Sequence, residues 1–196
     1  MNLLEIFAAI TTLLGVFFAS RGSKITWYMS FLSIASCSIL FFNNQLYAQV
    51  LLQLVYLSQS VYGLFTWSKN TSEVQVVKMT NYELTKTMTW FCGLTGLIYV
   101  VFNSTNDANP LIDSFITGLS LIANYLLIKK KVENWLIWVA SNLLSISLFT
   151  EQKLYIFALL YIVIGVISAI SYFKWKKESE KTVFYSKHTE SNFYEI

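Results

Sequence analysis

Lys129-Lys130-Lys131-Val132-Glu133-Asn134-Trp135-Leu136-Ile137-Trp138-Val139-Ala140-Ser141-Asn142 decides how this chain reads: three cations, then a mostly apolar run holding two tryptophans and an asparagine. A cation block against an apolar run is the signature of a helix entering a membrane. At about 100° per residue, Trp138 lies about 60° and Asn142 about 20° round the helix from Trp135, so the three share one face. A helix starting just past the lysines, rising about 1.5 Å per residue, places Trp135 near the membrane surface and Asn142 near the middle. Such a face can stack a flat ring and hydrogen-bond it. Structural readings stand beside this one: Trp135, like Trp27, Trp67 and Trp175, fits an aromatic belt, and Asn142 fits an interhelical hydrogen bond. Trp138 is a full turn deeper than a belt needs.

Outward from this stretch, the composition is that of a membrane bundle. The 196 residues are 55% hydrophobic and only 13% charged, about half the charge of a soluble domain, and the mean hydropathy is +0.52. Apolar runs of roughly 17 to 22 residues, each long enough to cross a hydrocarbon core as a helix, fall at about 3–20, 25–43, 46–67, 87–103, 112–128, 133–150 and 153–174. The expectation is an all-α integral membrane protein with seven transmembrane helices. The single proline, Pro110, lies between runs, and the glycines are scattered singly, so the helices are expected to be continuous rather than broken at a binding site.

Charge placement predicts orientation. Every Lys and Arg except Lys153 follows the first, third, fifth or seventh run, which by the positive-inside rule makes that side cytoplasmic, the N-terminus outside and the C-terminus inside. The net charge of +3 is therefore a topology signal, and no nucleic-acid partner is expected.

Sliding the chain by 108 residues lays Leu46-Tyr47 on Leu154-Tyr155, Leu51-Leu52 on Leu159-Leu160, Ser60 on Ser168, Trp67 on Trp175, Lys69 on Lys177 and Trp27 on Trp135. An ungapped offset held across helices and flanking loops points to duplication. Residues 1–67 are read as a first three-helix repeat, 68–111 as a cytoplasmic linker and connecting helix, 112–174 as a second repeat, and 175–196 as a cytoplasmic tail expected to be mobile. This is a 3+1+3 parallel repeat, an arrangement that places a substrate site at the interface of the halves near the midplane.

On the third run, Gln49, Gln53, Tyr56 and Ser60 share one stripe, which in a membrane must face protein or water. Gln49, Gln53 and Gln59 also fit interhelical hydrogen bonding. Near the middle of the runs there is no Asp, Glu, Lys, Arg or His, which disfavours a carboxylate proton relay and suggests passive exchange or facilitated diffusion. Cys37 and Cys92 stand alone and His188 lies in the polar tail, so no metal, cofactor or catalytic residue is expected.

Trp135-x-x-Trp138-x-x-x-Asn142 after Lys130-Lys131-Val132-Glu133-Asn134, with Leu46-Tyr47-Ala48-Gln49, Leu52-Gln53, Tyr56 and Tyr62-Gly63 to Trp67, resembles the bacterial nicotinamide riboside transporter family, PnuC. The resemblance runs from about Leu3 to Lys177. It implies a SWEET-like fold, a homotrimer in the inner membrane, and facilitated diffusion of nicotinamide riboside, trapped by a cytosolic kinase. It also implies substrate binding by Trp135, Trp138 and Asn142, with Gln53 and Tyr56 as partners and Asn124 as a further polar contact. Leu64-Phe65 departs from the family, which often has tryptophan after Tyr62-Gly63. Relatives of this architecture carry thiamine or riboflavin, and a non-transporting receptor or scaffold is the alternative of another class. In the 108-residue shift only Trp27 matches Trp135, while Ser30 and Ile34 stand opposite Trp138 and Asn142. Trp135 is thus best explained as structural, and Trp138 and Asn142 carry the functional expectation.

Overall fold

The computed structural model of the chain describes residues 3–43, 47–69, 75–104, 109–151, 153 and 155–193, with side chains described at all of these except 47–49 and 182–193. Leu46 and Leu154 of the repeat match lie outside the described residues, as do the side chains of Gln49 and His188. The described residues form seven helices: α1 (Leu3–Ser20), α2 (Ile25–Asn43), α3 (Tyr47–Lys69), α4 (Asn81–Asn103), α5 (Pro110–Ile128), α6 (Asn134–Glu151) and α7 (Tyr155–Phe193).

Five helical segments, α1, α2, α4, α5 and residues 155–181 of α7, are long and apolar enough to cross a membrane. The other two, α3 and α6, carry the glutamines and the serine- and asparagine-rich face picked out above, and these polar groups lower their hydropathy. Leu51, Leu54, Val100, Leu143 and Ile170 are all exposed, giving the bundle the apolar outer surface that a lipid solvent requires.

Sequential helices pack as neighbours within α1–α2–α3 and α5–α6–α7; α4 lies on α5, and the two groups meet through α1 with α7 and α3 with α5. Gly118 of α5 makes room for Thr95 of α4, and Phe91 meets Phe115 edge-on at 5.8 Å.

The buried core is aromatic and sits at the basic end. Trp27 and Trp67 meet edge-to-face at 5.2 Å, Trp135 and Trp175 do the same at 5.3 Å, and Val76, Ile128 and Val132 fill the space between. The indole of Trp67 donates to the Ile128 carbonyl at 2.9 Å, and that of Trp175 to the Ser20 carbonyl at 3.1 Å. The aromatic-belt reading of these four residues is therefore corrected. A belt ring lies against lipid, whereas all four are buried, Trp27, Trp135 and Trp175 being only 1% exposed.

Two boundaries also move. The seventh helix does not stop at 174 but runs on to Phe193; Trp175 and Ser179, assigned to a mobile tail, are buried, because the indole anchors this turn to α1. The fourth helix begins at Asn81 rather than near 87, started by a capping box in which Thr80 accepts from the Glu83 amide and Glu83 accepts from the Thr80 amide. Just before it, Val77 forms a bridge to Lys131, and Met79 donates its amide to Glu133 at 3.0 Å. Val76 is thereby drawn into the tryptophan core.

Several contacts occur twice, 108 residues apart. Thr12 pairs with Ser33 at 2.7 Å, and Ser120 with Ser141 at 2.9 Å. Gly22 has φ +65° and Lys130 has φ +48°, each turning the corner between two antiparallel helices through the left-handed region. The Ser23 amide donates to Phe18 and the Lys131 amide to Leu126, both at 3.0 Å.

The same end gathers the cations. Lys129 donates to the Tyr62 hydroxyl at 2.6 Å, Lys130 stands 4.8 Å over the Trp67 ring, Lys131 pairs with Glu83 at 2.7 Å, and Lys78 with Glu180 at 3.1 Å. The basic residues expected on one side of the membrane thus lie at one end of the bundle.

Candidate functional site

The buried face of α6 is the one drawn from the sequence: Asn134, Trp135, Ser141, Asn142, Ser145 and Leu148 are buried, and Trp138 is half-buried against the tryptophan core. The spacing of these positions keeps one stripe turned inward through the whole helix. Along it the three named residues have different surroundings.

Trp135 belongs to the core at the basic end, its ring perpendicular to Trp175. Among the described residues its indole nitrogen has no hydrogen-bond partner, and neither has that of Trp27. One turn deeper, Trp138 is only partly covered and packs against that core. Deeper still, Asn142 is 1% exposed, and its amide nitrogen is buried with no partner among the described residues. Leaving such a donor unmatched costs about 1–3 kcal/mol. α7 passes at Gly165, where a Cβ would stand 3.6 Å from that of Asn142.

The other predicted residues lie on α3 and α5. Gln53 is 9% exposed, and Tyr56 approaches the Ser120 hydroxyl and Tyr161. Ser120 is itself joined to Ser141, the residue before Asn142 on α6. Asn124, one turn along α5, donates to Gln59 at 2.8 Å, and Gln59 donates to the Leu121 carbonyl at 3.0 Å. Tyr161 stacks on Phe149 at 5.3 Å with the rings 16° apart.

Sequence reading did not single out Ser120 and Ser141, and it left Gln59 only as a possible hydrogen bond between helices. For the serine pair a signal existed: Thr12 and Ser33 lie 108 residues before Ser120 and Ser141, at the same spacing along the chain. An open groove of about 550 Å³ beside Tyr62, Phe65, Thr66 and Lys69 lies at the basic end of α3 and holds none of the six predicted residues. Among the described residues no group of His, Cys, Asp and Glu is arranged to hold a metal.

Seven helices with an apolar outside and a buried face of amides, hydroxyls and aromatic rings define a polytopic membrane protein. The sequence profile of the nicotinamide mononucleotide transporter family matches residues 2–177, and the chain belongs to that family. Among its relatives, the nicotinamide riboside transporter PnuC of Escherichia coli K12 is 29% identical over 197 residues, covering 86% of this chain and 82% of that one. The protein of the same name from Neisseria mucosa is 24% identical over 186 residues, covering 87% and 70%. The crystal structure of the vitamin B3 transporter PnuC is similar in fold, with a TM-score of 0.76 at 23% identity over 91% of this chain and 82% of that chain.

Proposed function

We propose that the protein carries nicotinamide riboside across the bacterial inner membrane by facilitated diffusion, the substrate being trapped inside by phosphorylation. The observation that carries the reading is the buried amide nitrogen of Asn142, unpaired among the described residues, on the same helix face as the half-covered ring of Trp138. An aromatic ring with a carboxamide substituent fits both: the ring stacks, the polar groups pair. The pyridinium charge adds about 0.5–2 kcal/mol over a tryptophan face.

In this reading Trp138, Asn142, Gln53, Tyr56 and Asn124 contact the substrate, and Trp135 holds the end of the helix in register. The helices form a 3+1+3 parallel repeat of SWEET type, supported by the contacts that recur at an offset of 108 residues. The clustering of cations at one end supports an N-terminus outside and a C-terminus in the cytoplasm. The homotrimer is carried over from the resemblance alone.

Uptake of nicotinamide riboside into proteoliposomes holding the purified protein, with and without a proton gradient, tests the reading. Equal flux in both conditions is expected. Dependence on the gradient contradicts facilitated diffusion, binding without flux indicates a receptor, and binding of thiamine in place of nicotinamide riboside assigns a different vitamin.

A further inference from the structure

Four carboxamide side chains, Gln53, Gln59, Asn124 and Asn142, lie on α3, α5 and α6, and the orientation of Gln59 is locked. Gln59 donates through Nε2 to the Leu121 carbonyl at 3.0 Å. A backbone carbonyl can only accept, so the Gln59 amide has one possible orientation and its oxygen must point the other way. That oxygen meets Asn124 at 2.8 Å, and the meeting atom of Asn124 must then be its nitrogen. The Asn124 oxygen is left facing away from Gln59, and no described residue donates a hydrogen bond to it. Among the described residues Asn142 and Gln53 have no such clamp.

We propose that Gln59 is a positioning residue that holds the Asn124 amide with its oxygen turned to the substrate, and that this fixed polarity selects a substrate bearing a carboxamide over one bearing a carboxylate. A carboxamide offers an N–H donor to the Asn124 oxygen and keeps its carbonyl for Asn142. A carboxylate offers only acceptors, so its oxygen meets the Asn124 oxygen lone pair to lone pair in a site with little water. Because the Leu121 carbonyl lies within α5, where it also serves the helix ladder, removing the Gln59 donor leaves no backbone group orphaned. The inference rests on the reading of nicotinamide riboside as substrate and adds what that site rejects.

The test is binding of nicotinamide riboside and nicotinic acid riboside, which differ only in carboxamide against carboxylate, to the native protein and to Gln59→Met and Asn124→Ala. Native protein is expected to prefer the amide by at least about tenfold. In Gln59→Met the Asn124 amide can turn its nitrogen to the ligand, so the preference shrinks several-fold while binding of nicotinamide riboside changes little. Asn124→Ala loses affinity for the amide and loses the preference as well. The ratio within each variant is independent of its yield or the fraction folded. Equal binding of both ligands by native protein overturns the inference while leaving the substrate reading intact, and so does an unchanged ratio in Gln59→Met. No binding of nicotinamide riboside by native protein overturns the substrate reading and the inference with it.

Discussion

The indole nitrogen of Trp175, on the last helix, donates to the carbonyl oxygen of Ser20, the last residue of the first helix, at 3.1 Å. Ser20 is a helix C-terminus, whose carbonyls have no partner within α1, so the bond satisfies an end group and joins the first helix to the last. Trp67 does the same for the carbonyl at the end of α5.

Trp175→Phe keeps most of the ring and removes the donor. It is expected to lower stability by about 1–3 kcal/mol through the lost hydrogen bond and looser packing, seen as a fall of about 2–10 °C in the melting temperature of the detergent-solubilised protein. Trp90→Phe is the control: Trp90 is 64% exposed and should change stability by less than about 0.5 kcal/mol. Equal effects of the two would mean that the buried tryptophans do not hold the bundle together.

Glycines at two places should answer to the same substitution in opposite ways. A Cβ at Gly63 would stand 2.5 Å from the Trp27 ring, whereas one at Gly93 meets nothing within 4 Å. Gly63→Ala should therefore cost about 1–3 kcal/mol by forcing the indole aside. Gly93→Ala should be neutral or stabilising by up to about 1 kcal/mol, because alanine favours a helix. A tolerated Gly63→Ala would show that Trp27 is not packed against α3.

Orientation is open to chemical labelling. In a background with Cys37 and Cys92 replaced by serine, Glu151→Cys should react with a membrane-impermeant thiol reagent added outside intact cells, and Lys24→Cys should react only after permeabilisation. The reverse pattern would invert the topology and put the basic end outside.

How far the sequence reaches into this structure depends on the range of the interaction concerned. Helix number and order followed from apolar runs set against cation blocks, since both report on the same few residues and the bilayer around them. The start of α4 was also written locally, in Thr80 and Glu83 at capping-box spacing, but a polar segment obscured it. The buried state of Trp175 was not local: whether a tryptophan at a helix end faces lipid or a second tryptophan depends on a carbonyl 155 positions away. On α6 the periodicity placed Trp135, Trp138 and Asn142 on the inward face, yet it could not say that Trp135 is held by Trp175 while Asn142 is left unpaired. The pairing of Gln59 with Asn124 joins residues 65 positions apart, and no single-helix pattern encodes it.

Binding to Asn142→Ala tests the central claim most directly. Titration calorimetry of nicotinamide riboside into native and Asn142→Ala protein, at matched melting temperatures, is expected to show affinity at least about tenfold weaker in the variant, near 1.4 kcal/mol. Trp138→Ala should behave alike. Undiminished affinity in Asn142→Ala, with the fold intact, would contradict the assignment of this face of α6 as the substrate site.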